Sequence, residues 1–84
     1  MPVSELSAIE RIARVLAGQR LSANAHGDDS SAAEQVDARW YAYQDDAVAV
    51  LKTLREPDAT MADAGDAELW RQMVDAALKD FAGA

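Results

Sequence analysis

The sequence has 84 residues, of which 50% are apolar, no cysteine and a formal charge of −7 at pH 7. The absence of cysteine excludes disulfides, thiolate zinc sites and cysteine nucleophiles. The eight Lys and Arg residues are scattered along the chain, which argues against a nucleic-acid partner, because binding its phosphates requires clustered cations. Since no apolar run approaches the roughly 20 residues that cross a bilayer, and no signal peptide is visible, we expect a cytoplasmic protein with no membrane partner.

Residues 4–21 are predicted to form the first helix, because their apolar side chains recur at intervals of three and four residues. That stripe comprises Leu6, Ile9, Ile12, Ala13 and Leu16. Ser4 is the expected N-cap, since its hydroxyl accepts a hydrogen bond from a first-turn amide, and Gly18 is a candidate stop. Residues 22–30 are polar turn formers without periodicity, which predicts a loop.

Residues 31–56 are predicted to form a long second helix. Ser31 and Glu34 have the spacing of a capping box, and Pro57 disfavours helical geometry in the residue before it. The apolar stripe between these signals comprises Val36, Trp40, Tyr43, Ala47, Val50 and Leu54. Such a helix is about 36 Å long at about 1.5 Å per residue. We therefore expect it to be the spine of the domain.

Two further helices are predicted in the last third of the chain, a short one over 58–64 and a longer one over 67–82. Gly65 is a natural residue to end the first of them, and Asp66 is the expected N-cap of the second. No segment alternates with a period of two. The chain is therefore predicted to be a single all-α domain over residues 1–84, a small bundle of three main helices plus one short helix.

Antiparallel packing of the first and last helices along the second predicts specific contacts. We expect Trp70 to contact Leu51 or Leu54 at one end. At the other end we expect Phe81 and Leu16 to contact Trp40 or Tyr43. These are the two aromatic residues in the apolar stripe of the second helix.

No catalytic, metal or cofactor site is expected. His26 is the single histidine and precedes Asp28 and Asp29 in the predicted loop, but the acids lack the spacing of a zinc or calcium motif. Asp45 and Asp46 point about 100° apart on a helix, so they do not form a carboxylate pair for acid–base chemistry. No glycine-rich phosphate loop is present. The sequence therefore favours a protein that is not an enzyme.

Aromatic residues are the candidates for an interface. A helix turns Trp40 and Tyr43 to one side and Tyr41 to another, and an aromatic side chain left on the surface is a common interface anchor. The alternative is that Tyr41 lies along its own helix with its hydroxyl group in water. Trp70, in the apolar stripe of the last helix, completes the candidate set.

The arrangement of these stripes and turns resembles a group of small helical proteins encoded by phages and prophages of alphaproteobacteria. The similarity extends over most of residues 7–80 and departs from the group mainly at 22–30. It is carried by five segments, Ala8-Ile9-Glu10-Arg11-Ile12-Ala13-Arg14, Trp40…Tyr43, Leu51-Lys-Thr-Leu-Arg-Glu-Pro57, Met61-Ala-Asp-Ala-Gly65 and Trp70-Arg-Gln-Met-Val-Asp-Ala-Ala-Leu78. The resemblance implies a phage or prophage origin and a bacterial cytoplasm. The group has no established activity, so no functional residue is carried over.

Two functions follow as hypotheses. The first is a non-catalytic protein that acts through contacts with a protein partner or a second copy of itself, because an alanine-rich core of this size stabilises the fold only weakly. The second is an acidic mimic of nucleic acid that inhibits a host DNA-binding protein. The mimic hypothesis rests on residues 22–47, which contain six acidic residues and one arginine. Mimicry requires that the carboxylates form a continuous band.

Overall fold

The computed structural model describes the backbone of residues 3–25 and 32–82, and the side chains of residues 3–21 and 33–80. This part of the chain contains helices and no strand, which confirms the predicted all-α class. In chain order the helices are α1 (Ala8–Ala25), α2 (Ala32–Arg39), a 3-10 turn (Trp40–Tyr43), α3 (Gln44–Leu54), α4 (Ala59–Ala64) and α5 (Ala67–Ala82).

Helix α1 begins and ends later than predicted. The Glu10 amide donates to Ser7 Oγ at 3.1 Å, so Ser7 caps the helix, whereas Ser4 Oγ accepts from the Leu6 amide before the helix begins. The predicted cap at Ser4 is therefore wrong. Gly18 does not end the helix, and the first four residues of the predicted loop are helical. Leu21 is buried and extends the apolar stripe, which stabilises this last part of α1.

The predicted long second helix is divided by the 3-10 turn at its aromatic residues. This tighter turn, with hydrogen bonds to the third residue rather than the fourth, lets the Trp40 ring pack against α1, where it is 8% exposed. The structure does not confirm this segment as the spine. Helix α1 contacts α2, the 3-10 turn, α3 and α5, so α1 occupies the centre. The predicted cap Ser31 lies outside the described residues.

Helices α4 and α5 each begin at an aspartate. The Met61 amide donates to Asp58 Oδ1 at 2.9 Å, and the Leu69 amide donates to Asp66 Oδ1 at 2.9 Å, as the sequence predicts for Asp66. Gly65 lies between the two helices with a φ of −160°. This is extended backbone, so the chain turns there without the left-handed conformation that glycine often supplies at a helix end.

The core is small and rich in alanine. Its buried cluster comprises Ile9, Ala13, Ala17, Trp40, Ala47, Leu51 and Val74. Among the described residues no large side chain is less than 2% exposed. The predicted contact of Trp70 with Leu54 is confirmed, because Trp70 Nε1 donates to the Leu54 carbonyl at 2.7 Å. The Phe81 side chain lies outside the described part of the chain, and the predicted contact of Leu16 with Trp40 or Tyr43 stays a prediction.

The molecule exposes more surface than a compact protein of its mass. Its accessible surface is 6216 Å², against about 4,900 Å² expected for a folded monomer of this size. The radius of gyration is 14.9 Å, against about 12 Å expected for a compact chain of this length. Within residues 3–25 and 32–82 no helix is long and apolar enough to span a membrane.

Candidate interaction surface

An apolar groove of about 660 Å³ runs between α1, α3 and α5. We call it the α1–α3–α5 groove. Its floor and walls are aliphatic or aromatic apart from one arginine. The lining residues are Ala8, Arg11, Ile12, Val15, Leu16, Val50, Leu51, Trp70, Met73, Val74 and Ala77. The volume lies within the ~300–1,000 Å³ that is typical of ligand sites, but the groove is open along its length, so a side-chain ridge fits it better than an enclosed small molecule.

A second, smaller groove of about 400 Å³ lies between α4 and α5. Pro57, Met61, Gly65 and Leu69 contribute to it. It shares Trp70 and Met73 with the α1–α3–α5 groove, so α5 separates the two depressions and faces both. We call the two grooves together the apolar face.

Most of the large apolar side chains that the described chain leaves in solvent belong to this face. Met73 is 61% exposed, Val15 59% and Leu69 53%. Val50 and Met61 are also exposed and line the same grooves. Large apolar side chains that are exposed together around a groove are a common mark of an interaction site. The apolar face is therefore the strongest candidate site in the described part of the chain.

The charge on the apolar face is sparse and positive at the larger groove. Within the described chain Arg11 alone carries a charge among the residues that line the α1–α3–α5 groove. Arg11 is exposed, and none of the ion pairs within the described chain includes it. By contrast, Arg55 bonds Asp75 at 3.2 Å, and Arg71 bonds Glu56 at 3.2 Å. Within the described residues Arg11 thus differs from these two arginines in having no carboxylate partner.

Arg14 connects α1 to α2 and to the aromatic turn. Its Nε lies 2.8 Å from Glu10 Oε2, its Nη1 bonds Asp37, and its Cζ lies 5.5 Å from the centre of the Trp40 ring. The hydrogen bonds that Arg14 donates to the carboxylates of Asp37 and, to a smaller extent, Glu10 raise the pKa of the Arg14 guanidinium above its ordinary value. Arg14 therefore stays charged at any pH where the protein is studied, and its contribution to stability would be lost only in strong alkali.

The four aromatic residues predicted as interface candidates fall in two places. Trp40 is buried in the core, and Tyr41 stacks on it with ring centres 4.1 Å apart while remaining 62% exposed. Tyr43 is half-buried against the core. Trp70 lines both grooves, whereas none of the other three lines either. A role for Tyr41 as an interface anchor stays a prediction.

The interface candidates predicted from the sequence do not include Arg11, Val15, Val50, Leu69 or Met73. Leu69 and Met73 are part of the apolar stripe of α5. A signal existed in the width of that stripe, because Leu69, Trp70, Met73, Val74 and Ala77 cover more of the helix than one neighbour covers.

Within residues 3–25 and 32–82 no group of three or more His, Cys, Asp or Glu residues is placed to hold a metal ion. His26 lies outside the described residues. Comparison with protein-family models, with curated proteins and with solved structures found no match to this chain.

Proposed function

We propose that this protein is a non-catalytic helical binding protein that acts through protein–protein contacts made by its apolar face. The observation that carries the proposal is the clustering of exposed large apolar side chains around two grooves that meet at Trp70 and Met73. Leaving these side chains in water costs about 25 cal/mol for each Å² of apolar surface. A partner that covers them recovers this free energy.

The scaffold of this face is the contact between α1, α3 and α5, each of which touches the other two. We take α1, the segment from α2 to α3, and α5 as the three main helices of the bundle that the sequence predicts, and α4 as its short helix. Helices α1, α3 and α5 form the floor and walls of the larger groove. Because the groove is already present in the free chain, we expect binding to need little backbone movement.

The resemblance to small proteins of alphaproteobacterial phages and prophages supplies the setting of the proposal. On that resemblance we place the protein in a bacterial cytoplasm and propose a phage or prophage origin. A partner would accordingly be a bacterial or phage protein, or a second copy of the chain, and neither nucleic acid nor a membrane is proposed.

The nucleic-acid mimic is the second candidate, and the ion pairs weigh against it. Mimicry needs a continuous band of free carboxylates. Of the acidic residues in 22–47, Asp37 bonds Arg14. Outside that segment the arginines of the described chain pair with Glu10, Glu56, Glu68 and Asp75. No described feature favours this candidate over the apolar face.

Site-specific photo-crosslinking in bacterial cells tests the proposed function. A photo-crosslinking amino acid replaces Val15 or Met73 on the apolar face, and Arg20 or Tyr41 outside it, in the full chain. We expect discrete protein adducts from Val15 and Met73 and none from Arg20. Adducts from Tyr41 alone would support the aromatic turn as the interface instead. Absence of adducts from both Val15 and Met73 would contradict the proposal.

A further inference from the structure

We propose that the apolar face is a two-fold homodimer interface, in which the exposed ridge of α5 from each copy lies in the α1–α3–α5 groove of the other. We define the ridge by Leu69 and Met73. This inference rests on the proposed function, because it names the protein that covers the same face. Four observations support a second copy as that protein.

The first observation is the surplus of surface. The protein exposes about 1,300 Å² more than the area expected from its mass. A standard interface covers about 800 Å² on each partner. The surplus over the whole chain is therefore larger than one partner's share of an interface of ordinary size.

The second observation is shape. Met73 lines both grooves and is 61% exposed, and Leu69, four residues earlier, stands on the same side of α5. A ridge thus runs directly beside a groove of about 660 Å³. Two-fold rotation about an axis near Met73 brings each ridge to the other copy's groove, because a two-fold interface uses the same patch twice. Helices pack in this way, with ridges in grooves.

The third observation is charge. Asp80 lies one heptad after Met73 within α5, so it is on the side of α5 that carries the ridge. The groove is lined by one cation, Arg11, which makes no ion pair within the described chain. An apolar ridge with an acidic residue near one end complements an apolar groove with a single cation. The chain's own α5 has this composition, and a basic amphipathic helix does not.

The fourth observation is the weakness of the core. Three of the seven residues in the buried cluster are alanine, and alanine contributes little buried area. Packing α5 against a second α5 converts Met73 and Leu69 from exposed residues to core residues. A second copy is also present wherever the chain is made.

Analytical ultracentrifugation of the purified full chain tests this arrangement. Wild type is expected to be dimeric at micromolar concentration, and Met73→Glu to raise the dissociation constant at least about tenfold, because it buries a charge in an apolar groove. Since Met73 is largely exposed in the monomer, this variant is expected to keep its helical circular dichroism.

Arg11→Glu and Arg20→Glu form a matched pair for the charge argument. Both change a cation of α1 to an anion, but Arg20 is nine residues further on and therefore points to the opposite side of the helix. Arg11→Glu is expected to weaken the dimer about tenfold, because it places like charges together in an interface. Arg20→Glu is expected to leave it within about twofold. Equal effects of the two changes would overturn the place of Arg11 in the interface.

Cysteine crosslinking gives a second measurement, because the chain contains no cysteine. With a short bismaleimide, Met73→Cys is expected to give crosslinked dimer and Tyr41→Cys is not. A wild type that is monomeric at every concentration would overturn the homodimer. If Val15 and Met73 still crosslink to a different protein in cells, the proposed function stands without it. If the wild type is monomeric and neither Val15 nor Met73 crosslinks to a protein in cells, both proposals are wrong.

Discussion

Gly18 lies in the interior of α1, where glycine is less favourable than alanine by about 0.5–1 kcal/mol. A Cβ atom at this position would lie 3.7 Å from Val36 Cγ2, an ordinary van der Waals contact with α2. Gly18→Ala is therefore expected to raise the free energy of unfolding by about 1 kcal/mol and the Tm by about 4–8 °C. Thermal and urea denaturation followed by circular dichroism measure both quantities.

Gly65→Ala is the control for this prediction. No atom lies within 4 Å of a Cβ there, and the residue is outside a helix with extended backbone. We expect a change within about 0.5 kcal/mol. A loss of stability in Gly18→Ala would show that α1 and α2 approach each other more closely than the 3.7 Å contact indicates.

Trp70 contributes a hydrogen bond as well as apolar surface. Its Nε1 donates to the carbonyl of Leu54, the last residue of α3, where helix geometry leaves carbonyls without partners. Trp70→Phe keeps a ring in place and removes the donor, so we expect a loss of about 1 kcal/mol in unfolding free energy. Urea denaturation at fixed protein concentration measures it.

Tyr41→Phe is the matched control for Trp70→Phe, because it removes one polar group from an aromatic residue that is 62% exposed. Its effect is expected to stay within about 0.5 kcal/mol. Equal losses in the two variants would mean that the bond to the Leu54 carbonyl adds nothing to stability beyond the packing of the ring.

At the scale of the helices, the sequence best predicts caps and helix ranges, because these features depend on a few neighbouring residues. The Asp66 cap follows from an aspartate that precedes an apolar stripe, and its bond reaches an amide only three residues away. Ser7 and Glu10 have the three-residue spacing of a capping box, so the sequence also contains a local signal for the start of α1. The range of α5 follows from its stripe and its cap.

The 3-10 turn and the apolar face were not predicted, because both depend on distant parts of the chain. The turn is stabilised where Trp40 packs on α1 beneath Arg14, a contact that no local pattern encodes. Likewise, an apolar stripe is the same in sequence whether a neighbouring helix covers it or not. Only the packing of α1 and α3 against α5 decides that Val74 is buried while Met73 stays exposed.

The cap of α5 gives a prediction at this scale. Asp66→Ala removes the acceptor of the Leu69 amide and is expected to lower the unfolding free energy by about 1 kcal/mol. Asp66→Asn is expected to retain most of the stability, since asparagine caps helices about as well as aspartate. Chemical denaturation of both variants separates loss of the cap from loss of charge, and a similar loss in both would assign the effect to charge.

For the whole molecule, the surplus of surface and the small core have one physical origin. Six small or medium side chains and one tryptophan ring form the buried cluster that holds α1 against its neighbours, while α4 and α5 expose apolar side chains to solvent at the edge of the fold. If a second copy covers that edge, folding and association are linked, and the midpoint of thermal unfolding is expected to rise with protein concentration.

The net charge then sets how the association responds to salt. Each copy carries a formal charge of −7, so two copies repel one another as they approach, and this repulsion opposes the burial of the apolar face. The Debye length falls from about 10 Å at 0.1 M salt to about 3 Å at 1 M. Screening reduces the repulsion of the whole charge distribution more than it reduces the single short contact between Arg11 and a carboxylate.

The dissociation constant of the dimer is therefore expected to fall as sodium chloride is raised at constant pH, as sedimentation at a series of salt concentrations would measure. A dissociation constant that rises with salt would instead mean that attraction between opposite charges, rather than burial of Met73 and Leu69, drives the association.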